Sequence, residues 1–354
     1  MTQALPHPLL QALVGDEEVG ALFSNDAELS ALLRVEAALA EAEAQAGLIS
    51  NEAAKQIAEA CGSFQADWAG LAAGLAQDGV IVPAFVKQLR SAVGEDHAKA
   101  VHFGATSQDI IDTALTLRLK NVVDIFARRL DALLLDLRAL KDRDGAIPLM
   151  AHTRMQQALS FTAADKIDTW VQPLERHREA LEALAPTILV VQLGGPVGTR
   201  AEFTGHGDAV ADTMARILGL SSAPSWHSQR DRIGEFAAFL SLLSGTLGKI
   251  GQDVALMAQN EVGEVRLATG GGSSAMPHKS NPVPAEVLVT LARFNAGLLG
   301  TLHQALVHEN ERSGAAWALE WMVLPQMVVA TAAGLRSAQG LISAMSFSPS
   351  RGLG

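Results

Sequence analysis

The segment Gly270–Pro282, GGGSSAMPHKSNP, is dense in side chains that hold anions and move protons. Gly270, Gly271 and Gly272 allow mobility and close backbone approach. Ser273 and Ser274 offer hydroxyls, and His278, Lys279 and Asn281 offer donors between Pro277 and Pro282. This set suits proton transfer on a small, multiply charged carboxylate. A second segment, His102–Asp109 (HFGATSQD), sets Gly104 and the Thr106-Ser107 pair where hydroxyls meet the free N–H groups of a helix start, a ready anion site. Capping by Thr106 or Ser107 alone accounts for it equally well. A third, Ala151–Gln157 (AHTRMQQ), gathers His152, Thr153, Arg154 and two amides at an expected helix start, where a solvated helix end is the plainer account.

Other chemistries find little support. The glycine-rich loop lacks the Gly-x4-Gly-Lys-Ser/Thr order of a phosphate-binding loop. There is no HExxH and no cysteine pair, and His303 and His308 stand five apart, off a common helical face, so no metal site is expected. No strand followed by a nucleophile elbow points to a serine hydrolase.

These segments need carriers, and the carriers read as helices. Ser24 is placed to cap a helix reaching Gly47, with Leu29, Leu32, Leu33, Val35 and Leu39 on one face. Shorter pieces follow to Val93, broken at Gly62, Gly79 and Gly94. One long helix is expected from Thr106 or Ser107 to about Arg143. Others are expected from Met155 to Ala185 with a bend near Pro173, from Gln229 to Thr269, after Pro284 and after Leu324. Helices of about 35–40 residues span roughly 50–60 Å, which describes an all-α, long-helix bundle. Leu133, Leu134, Leu135 and Leu137 cover more than one side, so burial in a homo-oligomer is expected. The only strand-like run is Ile188–Val191. Residues 1–100 are expected to form an N-terminal helical domain and 101–354 the central bundle.

Composition narrows the partners. The 354 residues are 49% hydrophobic and 18% charged, with 5% aromatics and no Tyr, which disfavours a β-sandwich or a base-stacking surface. A net charge of −11 without a basic run argues against nucleic acid and anionic membrane, so an anionic substrate must be met by local Arg and Lys. The single Cys61 excludes an internal disulfide framework and fits a reducing cytoplasm. The first twenty residues have no basic n-region, so no signal peptide is expected. No uninterrupted apolar stretch reaches about 18 residues, so no membrane span is expected either.

The three segments, in this order on long helices, resemble the fumarase/aspartase superfamily over about residues 20–345. GSSAMPHKSNP (Gly272–Pro282) is similar to its signature loop, HFGATSQD to its first conserved region and HTRMQQA (His152–Ala158) to its second. The resemblance implies that Ser273 is the catalytic serine and that Lys279, Asn281, Thr106 and Ser107 are carboxylate ligands. It implies a homotetramer whose active sites draw on three subunits, with no metal or organic cofactor. The usual C-terminal helical domain is expected to be missing. WHSQRDR (Trp226–Arg232), QLGGPVGT (Gln192–Thr199) and ENERSGAAWALEW (Glu309–Trp321) are similar to the superfamily's muconate-lactonising cycloisomerases. Adenylosuccinate-type lyases share the loop but lack the pairing of Trp317 with Trp321.

One departure bears on the reaction. Lyases of the superfamily read Arg-Thr-His in the second region, whereas this chain reads His152-Thr153-Arg154. Arginine stays charged and does not transfer a proton readily. A lyase needs that proton for its leaving group. A cycloisomerase does not, because its nucleophile is a carboxylate already ionised, with a pKa of roughly 4. Arg154 and Arg312 are then candidates for the substrate's remaining charge, and His102 and Thr153 complete the expected binding set. His152 can still replace the displaced histidine, which keeps a lyase open as the alternative; a non-catalytic helical protein is the other.

Overall fold

A computed structural model of the chain describes residues 8–268, 271, 272, 276 and 280–350. Two short helices, α1 (Gln11–Val14) and α2 (Glu17–Ala21), precede α3 (Asn25–Gln45), α4 (Asn51–Ser63), α5 (Trp68–Asp78) and α6 (Val82–Val93). Ser24 caps α3, accepting from the Ala27 N–H at 3.2 Å, as its sequence position requires. Then come α7 (Ser107–Asp144), the strands β1 (Pro148–Thr153) and β2 (Gln156–Thr162), α8 (Ala163–Ile188) and α9 (Gly207–Leu218). The chain continues through α10 (Asp231–Met257), β3 (Val265–Leu267), α11 (Val283–Gln304), α12 (Gly314–Ala344) and β4 (Met345–Phe347).

The expected all-α bundle is what forms. α10 packs along α11 and α12, and α7 along α8 and α12. One apolar core runs the length of this bundle through Phe126, Leu133, Leu137, Phe236, Leu243, Val254 and Met327. A second joins α3–α6 and α9 to the first turns of α7, where Ile110, Ile111 and Leu117 face Leu32, Phe85 and Met214. At 38 residues, α7 is about 57 Å long, so its two ends lie in different regions of the molecule.

Several boundaries differ from expectation. The helix start expected within Ala151–Gln157 is not found; residues 148–162 form an antiparallel hairpin with Met150 opposite Ser160 and Thr153 opposite Gln156. Arg154 and Met155 make its two-residue turn, with φ of 49° and 65°. The hairpin was hidden because β2 is exposed on both faces for most of its length, so no alternation of apolar and polar residues marks it. Ile188–Val191 does not form a strand; Val190 makes only an isolated bridge to Ser221. The helix expected to reach Thr269 stops at Met257, and residues 265–267 pair with 345–347 instead. The last helix starts at Gly314, capped by Ser313, and carries Pro325 inside it; α8 likewise contains Pro173.

The rule of an uninterrupted apolar run also missed a property of the long helices. α10, α11 and α12 each contain an 18-residue window of mean hydropathy 1.2, 1.2 and 1.4, enough by length and composition to cross a membrane. Within the chain 61% and 67% of the windows of α10 and α12 are buried, against 33% for α11. The apolar character of α10 and α12 is thus largely used in packing the bundle, while α11 keeps an outward face.

Candidate active site

The N-terminal end of α7 is organised by one carboxylate. Asp109 is fully buried. Its Oδ1 accepts from the Gly194 N–H at 2.7 Å and faces His227 Nε2 at 2.8 Å. Its Oδ2 accepts from the N–H groups of Thr106 and Gly195, both at 2.9 Å. One side chain therefore ties His102–Asp109 to Gln192–Thr199 and to Trp226–Arg232. The loops meet closely: Gly104 (φ 66°) and Gly195 (φ 71°) are both left-handed, and a Cβ on Gly195 would stand 2.9 Å from the Gly104 carbonyl oxygen.

Arg312 joins the same end. Its Nε donates to Gln108 Oε1 and one terminal nitrogen to the Pro196 carbonyl, both at 3.1 Å. Gln108 in turn donates to the His227 carbonyl at 2.9 Å. Asp109 takes the Thr106 N–H in a reciprocal capping box with the Thr106 side chain, and the hydroxyls at this helix start are those of Thr106 and Ser107. They stand, partly exposed, at the positive end of a long helix dipole. His102, also left-handed at φ 62°, completes the end, its Nδ1 2.6 Å from Glu36 Oε1.

Beneath lies a buried ionic layer that fixes α7, α10 and α12. Arg230, fully buried, donates to Asp112 at 2.6 and 3.1 Å and to Glu320 at 2.8 and 2.5 Å. It also stacks 4.7 Å from the Trp226 ring. Burial would lower the Arg230 pKa, but the two carboxylates raise it beyond its ordinary value. Burial pushes Glu320 up, and its hydrogen bonds to Arg230, with His308 Nε2 3.6 Å away, outweigh that and hold it below the usual carboxylate range. Trp317 Nε1 donates to Asp112 at 3.1 Å and its ring packs edge-on against Trp321. Sequence reading missed Asp109, His227 and Arg230 as organising residues. Their available signal was a charge one turn into the long α7 for Asp109, and a dense polar run, WHSQRDR, just before α10 for His227 and Arg230.

The other expected residues lie at the far end of the bundle. His152, Thr153 and Arg154 are exposed at the hairpin tip, beyond the C-terminal end of α7. α10 confirms the separation, since Arg230 at its start bonds Asp112 whereas Met257 at its end lines a cleft with Met150, His152 and Arg154. Its 27 residues cover about 40 Å. Asn281 exchanges two 2.9 Å backbone hydrogen bonds with Gly271, closing the base of the Gly270–Pro282 loop. That base adjoins the same far end, because α11 begins two residues later against the last turns of α10, near Gly251. Ser273 and Lys279 lie outside the described residues. The structure thus brings His102, Thr106, Ser107 and Arg312 together at one end and His152, Thr153, Arg154 and Asn281 at the other.

Long packed helices that carry hydroxyl-, amide- and arginine-bearing segments at their ends are the frame of a helical lyase. A family model described as Lyase matches residues 17–295, and the chain belongs to that family, the fumarase/aspartase superfamily. It is 40% identical over 332 residues to the 3-carboxy-cis,cis-muconate cycloisomerase of Pseudomonas aeruginosa, covering 92% of this chain and 72% of that protein. The crystal structure of 3-carboxy-cis,cis-muconate lactonizing enzyme from Pseudomonas putida matches with a TM-score of 0.90 at 37% identity, covering 96% of this chain and 77% of that one. An N-acetyl-S-(2-succino)cysteine lyase of Enterococcus italicus is 35% identical over 315 residues, covering 88% of this chain and 69% of that protein.

Proposed function

We propose that this chain is a cycloisomerase that interconverts 3-carboxy-cis,cis-muconate and 4-carboxymuconolactone, in the bacterial breakdown of protocatechuate and related aromatic acids. The observation that carries the reading is the N-terminal end of α7. There the partly exposed Thr106 and Ser107 hydroxyls, a helix dipole and Arg312 form a cradle for carboxylate. The relatives named for that reaction support it, and so does Arg154 where a lyase keeps a proton-transferring histidine.

In the lactone-forming direction a carboxylate oxygen of the muconate adds to an alkene carbon. The C–O bond forms, the π pair moves to the carbon α to another carboxylate, and that carbon takes one proton. Atoms balance within the one molecule and that proton. Charge builds on the α-carboxylate, and Thr106, Ser107, Lys279 and Asn281 are the donors assigned to stabilise it. Ser273 is assigned the proton, as acid in closure and as base in lactone opening.

A complete site on this assignment needs more than one copy of the chain, because its two halves sit at opposite ends of a helix about 57 Å long. A homotetramer with shared sites in the cytoplasm is the arrangement proposed. The outward face of α11 and the exposed Leu135, Leu242 and Leu159 favour such burial. The test follows loss of muconate ultraviolet absorbance, with adenylosuccinate and N-acetyl-S-(2-succino)cysteine as alternative substrates for the same preparation. Activity on muconate that Ser273→Ala abolishes without changing assembly is the expected result. Activity on either succinyl compound alone overturns the assignment.

A further inference from the structure

Behind His102 lies a group of ionisable residues that the reaction as written does not use. Glu36 and Glu43 sit seven residues apart on the inward face of α3, both fully buried. One oxygen of Glu36 and both oxygens of Glu43 have no hydrogen-bond partner among the described residues. Burial, reinforced by the charge of Glu36, pushes the Glu43 carboxyl up to about 9, so it keeps its proton at neutral pH. The same two causes push the Cys61 thiol up to about 12. Neither neighbour brings a negative charge to the cluster.

The one strong contact out of it is Glu36 Oε1 to His102 Nδ1, at 2.6 Å. His102 opens the loop that ends in Thr106 and Ser107, on a left-handed backbone that a non-glycine residue adopts only under local constraint. Its Nε2 bonds no described residue, and its side chain keeps 13% of its surface exposed. The geometry decides what that nitrogen presents. With Nδ1–H given to Glu36, a neutral ring turns a lone pair outward, which repels a carboxylate. An imidazolium turns an N–H outward, which binds one.

We propose that Glu36 is a positioning residue for the substrate site, holding His102 as an imidazolium whose Nε2–H is offered to a substrate carboxylate. This rests on the placement of His102 in the site proposed above. The charged groups around the ring are Glu36 from α3, Asp109 from α7 and Arg90 from α6. Burial pulls the His102 pKa down and Arg90 opposes the charged ring, but Glu36, by charge and hydrogen bond, and Asp109 together raise it above the ordinary value. Arg90 is itself engaged, donating to the Val101 carbonyl at 3.1 Å.

The test measures KM and kcat for 3-carboxy-cis,cis-muconate against pH in the assembled wild-type enzyme, Glu36→Gln and His102→Gln. In wild type, KM rises as pH passes upward through the His102 pKa. Glu36→Gln moves that rise to lower pH and leaves kcat nearly unchanged. At pH above both pKa values its KM then exceeds wild type by about tenfold for each unit of displacement, since the imidazolium fraction there falls tenfold per unit. Well below both pKa values the two enzymes converge. A Glu36→Gln profile superimposed on wild type overturns the proposal. If His102→Gln also leaves KM unchanged, the placement of His102 at the site fails instead. Histidine labelled at Cε1 and followed by NMR in the wild-type protein, assigned against His102→Gln, reads the protonation directly. A His102 pKa at or below the ordinary 6.5 refutes the proposal even if Glu36→Gln does not fold.

Discussion

Replacing Asp109 with Asn keeps the shape of the side chain but removes an acceptor from the point where three segments meet. In the wild-type fold Oδ1 serves the Gly194 N–H and His227 Nε2, and Oδ2 serves the N–H groups of Thr106 and Gly195. An asparagine places an NH2 on one of these sides. Turned toward Oδ2, it confronts two backbone donors. Turned toward Oδ1, it confronts the Gly194 donor and, at 3.4 Å, Gln192 Nε2, which keeps its bond to Ser225, while His227 can switch tautomer and accept. The second arrangement is cheaper. It leaves one buried donor unpaired, at about 1–3 kcal/mol, and removes charge assistance from two more bonds, at about 1 kcal/mol each. The expected loss is about 3–5 kcal/mol, concentrated where Thr106, Ser107 and Arg312 are held. Urea unfolding at fixed subunit concentration measures it, and kcat/KM for the muconate should fall by about a hundredfold or more as the cradle loosens. Stability within about 1 kcal/mol of wild type, with kcat/KM within about threefold, refutes the view that Asp109 organises this end.

If sites are shared between copies, an enzyme disabled at the cradle by Thr106→Ala with Ser107→Ala and one disabled at the hairpin by Arg154→Ala should regain activity when unfolded and refolded together. No recovery in mixed assemblies, shown to be mixed by mass spectrometry, rules sharing out. Arg154→His should raise KM through lost anion binding; unchanged KM and kcat place Arg154 outside the site. Glu43 gives a pH signature of opposite sign to a salt-bridged acid. Its folded pKa of about 9 lies above the ordinary 4.5, so the folded state binds the extra proton and stability falls as pH rises through that window. The cost amounts to about 3 kcal/mol by pH 7 and is absent below 4.5. Glu43→Gln should flatten that part of the stability–pH curve, and an unchanged slope counts against a protonated Glu43.

The sequence by itself determined the long-helix bundle, because Leu and Ile at helical spacing over α7 and α10 leave no other period to satisfy. It also marked the segments that carry the site and the capping at Ser24 and Thr106, since these depend on neighbours three residues away. The hairpin at 148–162 was not legible, because strands exposed on both faces show no alternation and its turn is set by two left-handed residues, Arg154 and Met155, rather than by glycine. Nor was the carboxylate at Asp109 distinguishable from an ordinary helix-start acid. Its partners Gly194, Gly195 and His227 are 85 to 118 residues away, and only the packed fold brings their donors within reach. Tertiary structure also decided which expected residues stand together. A rigid helix holds its ends about 57 Å apart, so Thr106 and Arg154, 48 positions apart in sequence, cannot meet within one chain.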